Sequence, residues 1–153
     1  MPLTPAGLLM SQPLDVEGNQ QVGAASTAIG AAFHAILWFG SATNFVDLNP
    51  AGFSSSTAQS TNGQVQVGAA SHGTPGDHAF ARFGTRESAL DLQHFVPSTF
   101  AYSEARAIDP SGVIVGSVYN NVWTGTARGD VDPGTRTEQR GLPCGAHGAV
   151  VLP

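Results

Sequence analysis

Polar and apolar residues alternate in short stretches along this chain, and residues that favour tight turns separate the stretches. Residues 64–67 read Gln-Val-Gln-Val, which is the period of two expected of a half-buried strand. The Asn62-Gly63 pair and the Asp-Pro-Ser-Gly run at 109–112 favour tight turns, because Gly and Asn accept positive φ and Pro presets the first turn position. The pattern predicts short antiparallel strands joined by tight turns.

The chain also repeats itself. Residues 18–26, GNQQVGAAS, are nearly identical to residues 63–71, GQVQVGAAS, at a spacing of 45 residues. Downstream, FHAILWFG at 33–40 aligns with DHAFARFG at 77–84, and a third copy begins with EARAIDPSGVIVGS at 104–117. Self-similarity at this period is the signature of a repeat architecture. We place the copies at about residues 12–50, 55–97 and 101–153, the third with an insertion at 117–145.

The repeat resolves one ambiguous segment. Residues 24–39 are rich in alanine and compatible with an amphipathic helix. The equivalent stretch of the second copy contains Gly73, Pro75 and Gly76, which break helices. Because repeated copies are expected to share a backbone, we predict strand, turn and strand in both.

Each copy is then predicted to contain four short strands, which is the number of strands in a β-propeller blade. We predict an all-β fold of propeller-like, four-stranded antiparallel blades, about three in number; a small β-sandwich or barrel is the alternative. Gly23 and Gly68 are expected where blades crowd near an axis. Since propellers typically have about four to eight blades, three leave the ring open. We therefore expect self-association, two copies giving six blades, or more blades in a longer parent chain.

The end of the third copy is harder to align. Residues 146–153, AHGAVVLP, are interpreted as the third version of the histidine-containing strand. This interpretation places His147 in the position of His34.

The segments HAILW at 34–38 and HAFAR at 78–82 resemble the HAF repeat, which is named for its His-Ala-Phe motif. Each has a glycine pair upstream and an Asp-Leu downstream, and the resemblance covers about residues 12–120. Arg82 departs from the pattern, which has tryptophan there, and the third copy departs by its long insertion. The resemblance implies a bacterial, exported repeat protein, located outside the cell or in the cell envelope, with a propeller-like fold. It supplies no catalytic residue.

Charge excludes two classes of partner. The formal net charge is −5, there is no lysine, and the six arginines are scattered. Nucleic-acid binding requires a basic face, and anionic membrane surfaces attract clusters of basic residues. The longest mostly apolar run, residues 31–39, is too short to span a bilayer. We therefore expect neither nucleic-acid binding nor membrane insertion.

Catalytic and metal-binding motifs are not found in the sequence. It contains no GxSxG and no HExxH, which are the signatures of a nucleophile elbow and of a zinc site. His34 and His78 are repeat-equivalent, as are Asp47 and Asp91. We expect structural roles for them, with each aspartate accepting hydrogen bonds from turn N–H groups. No enzyme activity, cofactor, metal site or catalytic residue is predicted.

The candidate ligand contacts are two aromatic residues in the polar insertion of the third copy, Tyr119 and Trp123, which are expected to be exposed in a loop. Binding residues are disproportionately found on loops held by a rigid scaffold. We predict a non-enzymatic structural or binding module for an unknown protein or carbohydrate ligand. The alternative is a fragment of a secreted hydrolase or carbohydrate-binding protein with a site within residues 117–145.

Overall fold

The computed structural model describes residues 7–26, 28–73 and 76–119, together with the backbone of residues 146–151. Within these ranges the fold is all-β, with no α-helix and one short 3₁₀ helix at Leu92–Phe95. No helix among them is long and apolar enough to cross a membrane. The strands are β1 Met10–Glu17, β2 Gln20–Ser26, β3 His34–Phe39, β4 Phe45–Asp47, β5 Ser55–Thr61, β6 Gln66–Ser71, β7 Asp77–Arg82, β8 Leu90–Asp91, β9 Tyr102–Ile108, β10 Val113–Tyr119 and β11 Ala146–Val151.

The strands form three open antiparallel sheets in which chain neighbours pair. Sheet 1 has the order β1-β2-β3-β4, sheet 2 has β5-β6-β7-β8, and sheet 3 has β9-β10-β11. The strand interpretation of residues 24–39 is confirmed, because β2 and β3 occupy both ends of that segment. A single closed barrel is excluded for the described strands, since they lie in three separate sheets.

A β-bulge recurs at the same place in each sheet. The register between the first two strands shifts opposite Gly23, Gly68 and Gly116. A Cβ on Gly68 would lie 2.0 Å from the carbonyl oxygen of Thr57 on the adjacent strand, and the other two glycines are equally close to carbonyl oxygens. The expectation that Gly23 and Gly68 mark crowding between blades is therefore wrong. The close approach lies within each sheet, where the bulge brings the neighbouring backbone too near for any side chain.

Sheet 3 corrects the alignment of the third copy. Gly23 pairs with Ile36 and Gly68 with Phe80, each two residues after a repeat histidine. Gly116 pairs with Gly148, so Ala146 and not His147 occupies the histidine position. A one-residue slip moves a side chain to the opposite face of a sheet. β10 also continues to Tyr119, so the strand takes the first three residues of the segment assigned to the insertion.

The sheets stack through the first strand of each later sheet. β5 lies against β1, β2 and β3, and β9 lies against β5, β6 and β7. Two apolar clusters fill these junctions. The first contains Val22, Ala35, Leu37, Leu48 and Ala58, and the second contains Val67, Ala79, Ala81, Leu92, Ala105, Ile108 and Ile114. Burial of this apolar surface is the main force holding the sheets together.

Candidate functional site

The repeated histidine and aspartate meet at the edge of each of the first two sheets. In sheet 1, His34 Nδ1 on β3 lies 2.9 Å from Asp47 Oδ2 at the end of β4. The other carboxylate oxygen, Oδ1, accepts the backbone N–H of Asn49 at 2.8 Å. This confirms that the aspartate holds the turn that follows its strand.

The same turn reaches across to the next sheet. The side chain of Ser56, on β5, donates its hydroxyl to Asn49 Oδ1 at 2.6 Å and accepts the backbone N–H of Ala35 at 2.9 Å. Ser56 and Asn49 are both buried. Sheet 1 and sheet 2 are therefore joined by a chain of hydrogen bonds that runs from His34 through Asp47 and Asn49 to Ser56.

Sheet 2 and sheet 3 are joined in the same way. His78 Nδ1 lies 2.8 Å from Asp91 Oδ2, and Asp91 Oδ1 accepts the backbone N–H of Gln93 at 2.8 Å. Ser103, on β9, donates to Gln93 Oε1 at 2.5 Å and accepts the N–H of Ala79 at 2.9 Å. Glutamine replaces asparagine here, so the amide keeps its place although its side chain is one methylene longer. We call these two arrangements the junction networks.

The junction networks do not have the geometry of a catalytic triad. A serine nucleophile requires its hydroxyl to be hydrogen-bonded to the histidine base. Ser56 and Ser103 donate instead to an amide oxygen, and each accepts a backbone N–H. Ser103 is 1% exposed, so its hydroxyl is out of reach of a substrate. The geometry favours a structural role.

The sequence indicated only half of each network. The histidines and aspartates were predicted as structural residues, whereas Ser56, Ser103, Asn49 and Gln93 were not singled out. A signal does exist, because serine stands at one register position of the first strand in all three sheets, pairing with Ala25, Ala70 or Val118. Serine is too common for this to be noticed before the register is known.

Further polar contacts join sheet 1 to sheet 2. Asp15 Oδ2 accepts the hydroxyl of Ser60 at 2.7 Å and the N–H of Thr61 at 2.9 Å. Burial raises the pKa of Asp15, but the hydrogen bonds from Ser60, Thr61 and Val16 outweigh it and hold this pKa below its usual value. Arg86 Nη2 lies 2.9 Å from Asp47 Oδ2. These directional contacts help to orient sheet 1 against sheet 2, whereas burial of apolar surface supplies most of the attraction between them.

Arg82 is the unusual residue of this junction. It is fully buried and occupies the register position that Trp38 has in sheet 1. Its Nε donates to the carbonyl of Leu48 in sheet 1 at 3.1 Å, and its Nη2 donates to Ala69 in sheet 2 at 3.2 Å. Among the described residues, Nη1 has no acceptor. Burial lowers the pKa of Arg82 to about 10, since removal from water disfavours the charged form.

Aromatic rings surround the second histidine. Phe53 contacts His72, His78 and Phe80, with ring centroids 4.9, 5.9 and 4.9 Å away, and the two histidine rings lie 5.4 Å apart. Within the described ranges, no three His, Cys, Asp or Glu side chains come together in a way that could hold a metal ion. The ring of Phe53 thus packs against His78, a member of the junction network of sheet 2.

The cavity between sheets 2 and 3 is too small to be a ligand pocket. Its volume is about 20 Å³, and its walls include Ala79, Leu92, Ala105 and Ile114. A space of this size has room for about one water molecule, and an apolar one stays dry.

Tyr119, the candidate ligand contact, lies at the end of β10. Its ring stacks on that of Tyr102 on β9, with the centroids 5.2 Å apart and the planes tilted by only 3°. Tyr119 is 36% exposed. Gly76 contacts Tyr102 so closely that a Cβ there would overlap the ring. The structure thus gives Tyr119 a rigid support and leaves part of it open.

The surroundings of Tyr119 are acidic. Burial raises the pKa of Tyr119, and the negative charges of Asp77 and Glu104 raise it further. Glu104 is itself held by Arg106 at 2.9 Å and by Gln59 at 3.2 Å. Trp123, the second candidate contact, lies outside the described residues, so the structure does not test whether it joins Tyr119.

No protein-family model, curated protein or solved structure matches this chain. The functional assignment therefore depends on the geometry described above.

Proposed function

We propose that this chain is a non-enzymatic repeat module of an extracellular or cell-envelope protein, of the HAF-repeat kind. Its propeller-like blades form a rigid scaffold, and its ligand is a protein or a carbohydrate. The ligand contacts Tyr119, with Trp123 as the second expected contact.

The recurrence of the junction network carries this proposal. The titratable residues that repeat along the chain are His34, Asp47, His78 and Asp91, and both pairs are engaged in joining one sheet to the next. A site that performs chemistry is expected once in a chain, whereas a device that recurs at every junction serves the scaffold. Recognition on such a scaffold belongs to its edges and loops.

The stacking supports the propeller-like arrangement. Each blade is a meander of neighbouring antiparallel strands, which is the usual composition of a propeller blade. Successive blades meet face to face, since the first strand of one lies across three strands of the one before. The two junctions also use equivalent residues, as the junctions between repeated blades would.

The tyrosine pair supports surface recognition at the third sheet. An aromatic ring held by a second ring presents a large apolar face at little entropic cost, and its hydroxyl adds a polar contact. The nearby carboxylate of Asp77 can accept hydrogen bonds from sugar hydroxyls or from peptide N–H groups. This combination suits a polar ligand with an apolar face.

A binding screen tests this proposal. The full chain is screened on a glycan array and a peptide array, and the best ligand is titrated by calorimetry. We expect Tyr119→Ala to weaken binding by at least about tenfold, the size of one lost aromatic contact of ~1.4 kcal/mol. Phe95→Ala is the matched control, since Phe95 is an exposed aromatic residue at the end of the 3₁₀ helix that follows β8. Equal affinity of Tyr119→Ala and wild type would refute the assignment of this residue.

A hydrolase screen tests the alternative of an enzyme. The full chain is assayed against ester, peptide and glycoside substrates, alongside alanine variants of the candidate groups in the third copy. These groups are Asp130, Asp132, Glu138, Cys144 and His147. We expect no turnover; activity that one of these substitutions abolishes would overturn the non-enzymatic proposal.

A further inference from the structure

One valine position is buried in the first two sheets and open in the third. Val22, Val67 and Val115 stand at the same register position, next to the bulge glycine on the second strand. Val22 and Val67 are 0% exposed, because the first strand of the following sheet covers them, whereas Val115 is 46% exposed. Among the described residues, no strand covers the face of sheet 3 that points away from sheet 2, where this valine lies.

The first strand of the chain shows the complementary exposure. Val16, Thr61 and Ile108 share a register position on β1, β5 and β9. Thr61 and Ile108 are 5% and 8% exposed, whereas Val16 is 59% exposed. Pro13 pairs with Gly23 as the fully buried Ala58 pairs with Gly68, yet Pro13 is exposed. Both positions are buried against the preceding sheet in β5 and are open in β1, which marks this face of β1 as an interaction surface.

We propose that β1 of one copy of this chain packs across sheet 3 of a second copy. It would repeat there the contacts that β5 makes with sheet 1 and that β9 makes with sheet 2. This inference rests on the stacked-blade part of the proposed function and does not involve the ligand contact at Tyr119.

The internal junctions identify the occupant as a second copy. Both show what covers this kind of sheet face, namely the first strand of another sheet of the same repeat. β1 is such a strand, with the same bulge as β5 and β9. A contact between opposite ends of identical chains is heterologous and continues until a ring closes. Two chains would contribute six sheets, within the usual range of about four to eight blades.

Size-exclusion chromatography with light scattering tests this inference on the full chain. We expect wild type at twice the chain mass of 15.7 kDa. Val16→Asp and Val115→Asp should each give monomers, since a carboxylate would have to be desolvated at the junction. Leu90→Asp is the control, because Leu90 is 37% exposed on β8. A monomeric wild type would overturn the inference.

Mixing the two monomeric variants tests the head-to-tail geometry. The Val16→Asp chain keeps an intact sheet 3, and the Val115→Asp chain keeps an intact β1. We expect the mixture to form a one-to-one complex that neither variant forms alone, which also shows that both variants are folded. A mixture that stays monomeric would exclude this geometry. A monomeric wild type whose ligand binding still depends on Tyr119 would overturn this inference alone and leave the proposed function standing.

Discussion

At the residue scale, each sheet depends on one glycine, which has no Cβ and therefore permits the close approach of the neighbouring strand at the β-bulge. Gly68 faces the β-bulge of sheet 2, where the carbonyl oxygen of Thr57 would lie 2.0 Å from any Cβ. The sequence pattern showed that this glycine recurs, but not what it contacts, because a bulge belongs to the pairing of two strands and not to one strand alone.

Gly68→Ala should therefore be strongly destabilising. We expect the free energy of unfolding to fall by about 2–3 kcal/mol, since backbone atoms would have to move to admit the methyl group. Gly52→Ala is the control, because Gly52 has a φ of 84° but open space around it, and should cost only about 1 kcal/mol. Urea denaturation measures both. Gly68 itself does not have a positive φ, so a loss of about 1 kcal/mol or less for Gly68→Ala would mean that the close approach does not require glycine at this position.

Arg82 shows a polar residue used where the first copy has Trp38. The guanidinium joins two sheets by donating to Leu48 and Ala69, yet its positive charge is removed from water. Burying a charge without an opposite charge is costly, and the lowered pKa of about 10 has the same cause.

Two substitutions of Arg82 distinguish the contribution of its side-chain volume to stability from that of its charge. We expect Arg82→Met to stay within about 1 kcal/mol of wild type, because relief of the buried charge offsets the lost hydrogen bonds. Arg82→Ala should lose about 2–4 kcal/mol, since it leaves a cavity. Denaturation of both variants in urea gives the comparison. If Arg82→Met loses as much as Arg82→Ala, the hydrogen bonds to the two carbonyls outweigh the cost of the charge.

The junction network is the device that repeats at the element scale. The pairing of His34 with Asp47 and of His78 with Asp91 follows from the position of each histidine at the start of a strand and of each aspartate at the end of the next. The histidines and aspartates could be singled out from the sequence, because they recur at equivalent positions of the first two copies. The serine of the following sheet could not, since a contact between sheets depends on how the sheets stack.

Equivalent serines should contribute equally to stability. We expect Ser56→Ala and Ser103→Ala each to lower the free energy of unfolding by about 1–3 kcal/mol, because each removes the acceptor of a buried N–H and the donor to an amide oxygen. Ser54→Ala is the matched control, since its hydroxyl donates to Ser71 from an exposed position, and should change little. Thermal or urea unfolding gives the values. A large loss at one serine and none at the other would contradict the equivalence of the two junctions.

At the scale of the whole molecule, the sequence predicted the strands and their repetition better than the faces they bury. The first two copies contain four strands each, as the similarity of their sequences indicated. The third copy was misaligned by one residue at His147, because a short strand of small residues, AHGAVV, fits more than one register when only sequence is compared. The exposure of Val16 and Val115 was likewise beyond prediction, since it depends on which sheet covers which.

The central claim is that both junctions of the intact chain carry the same hydrogen-bond network. In each, the ring nitrogen nearest the aspartate is Nδ1, and an ionised carboxylate can only accept, so Nδ1 must carry a proton. A long-range ¹H–¹⁵N correlation spectrum, recorded where the imidazoles are neutral, reads the tautomer of each histidine directly. We predict the Nδ1–H tautomer for both His34 and His78. The Nε2–H tautomer at either one would contradict the account.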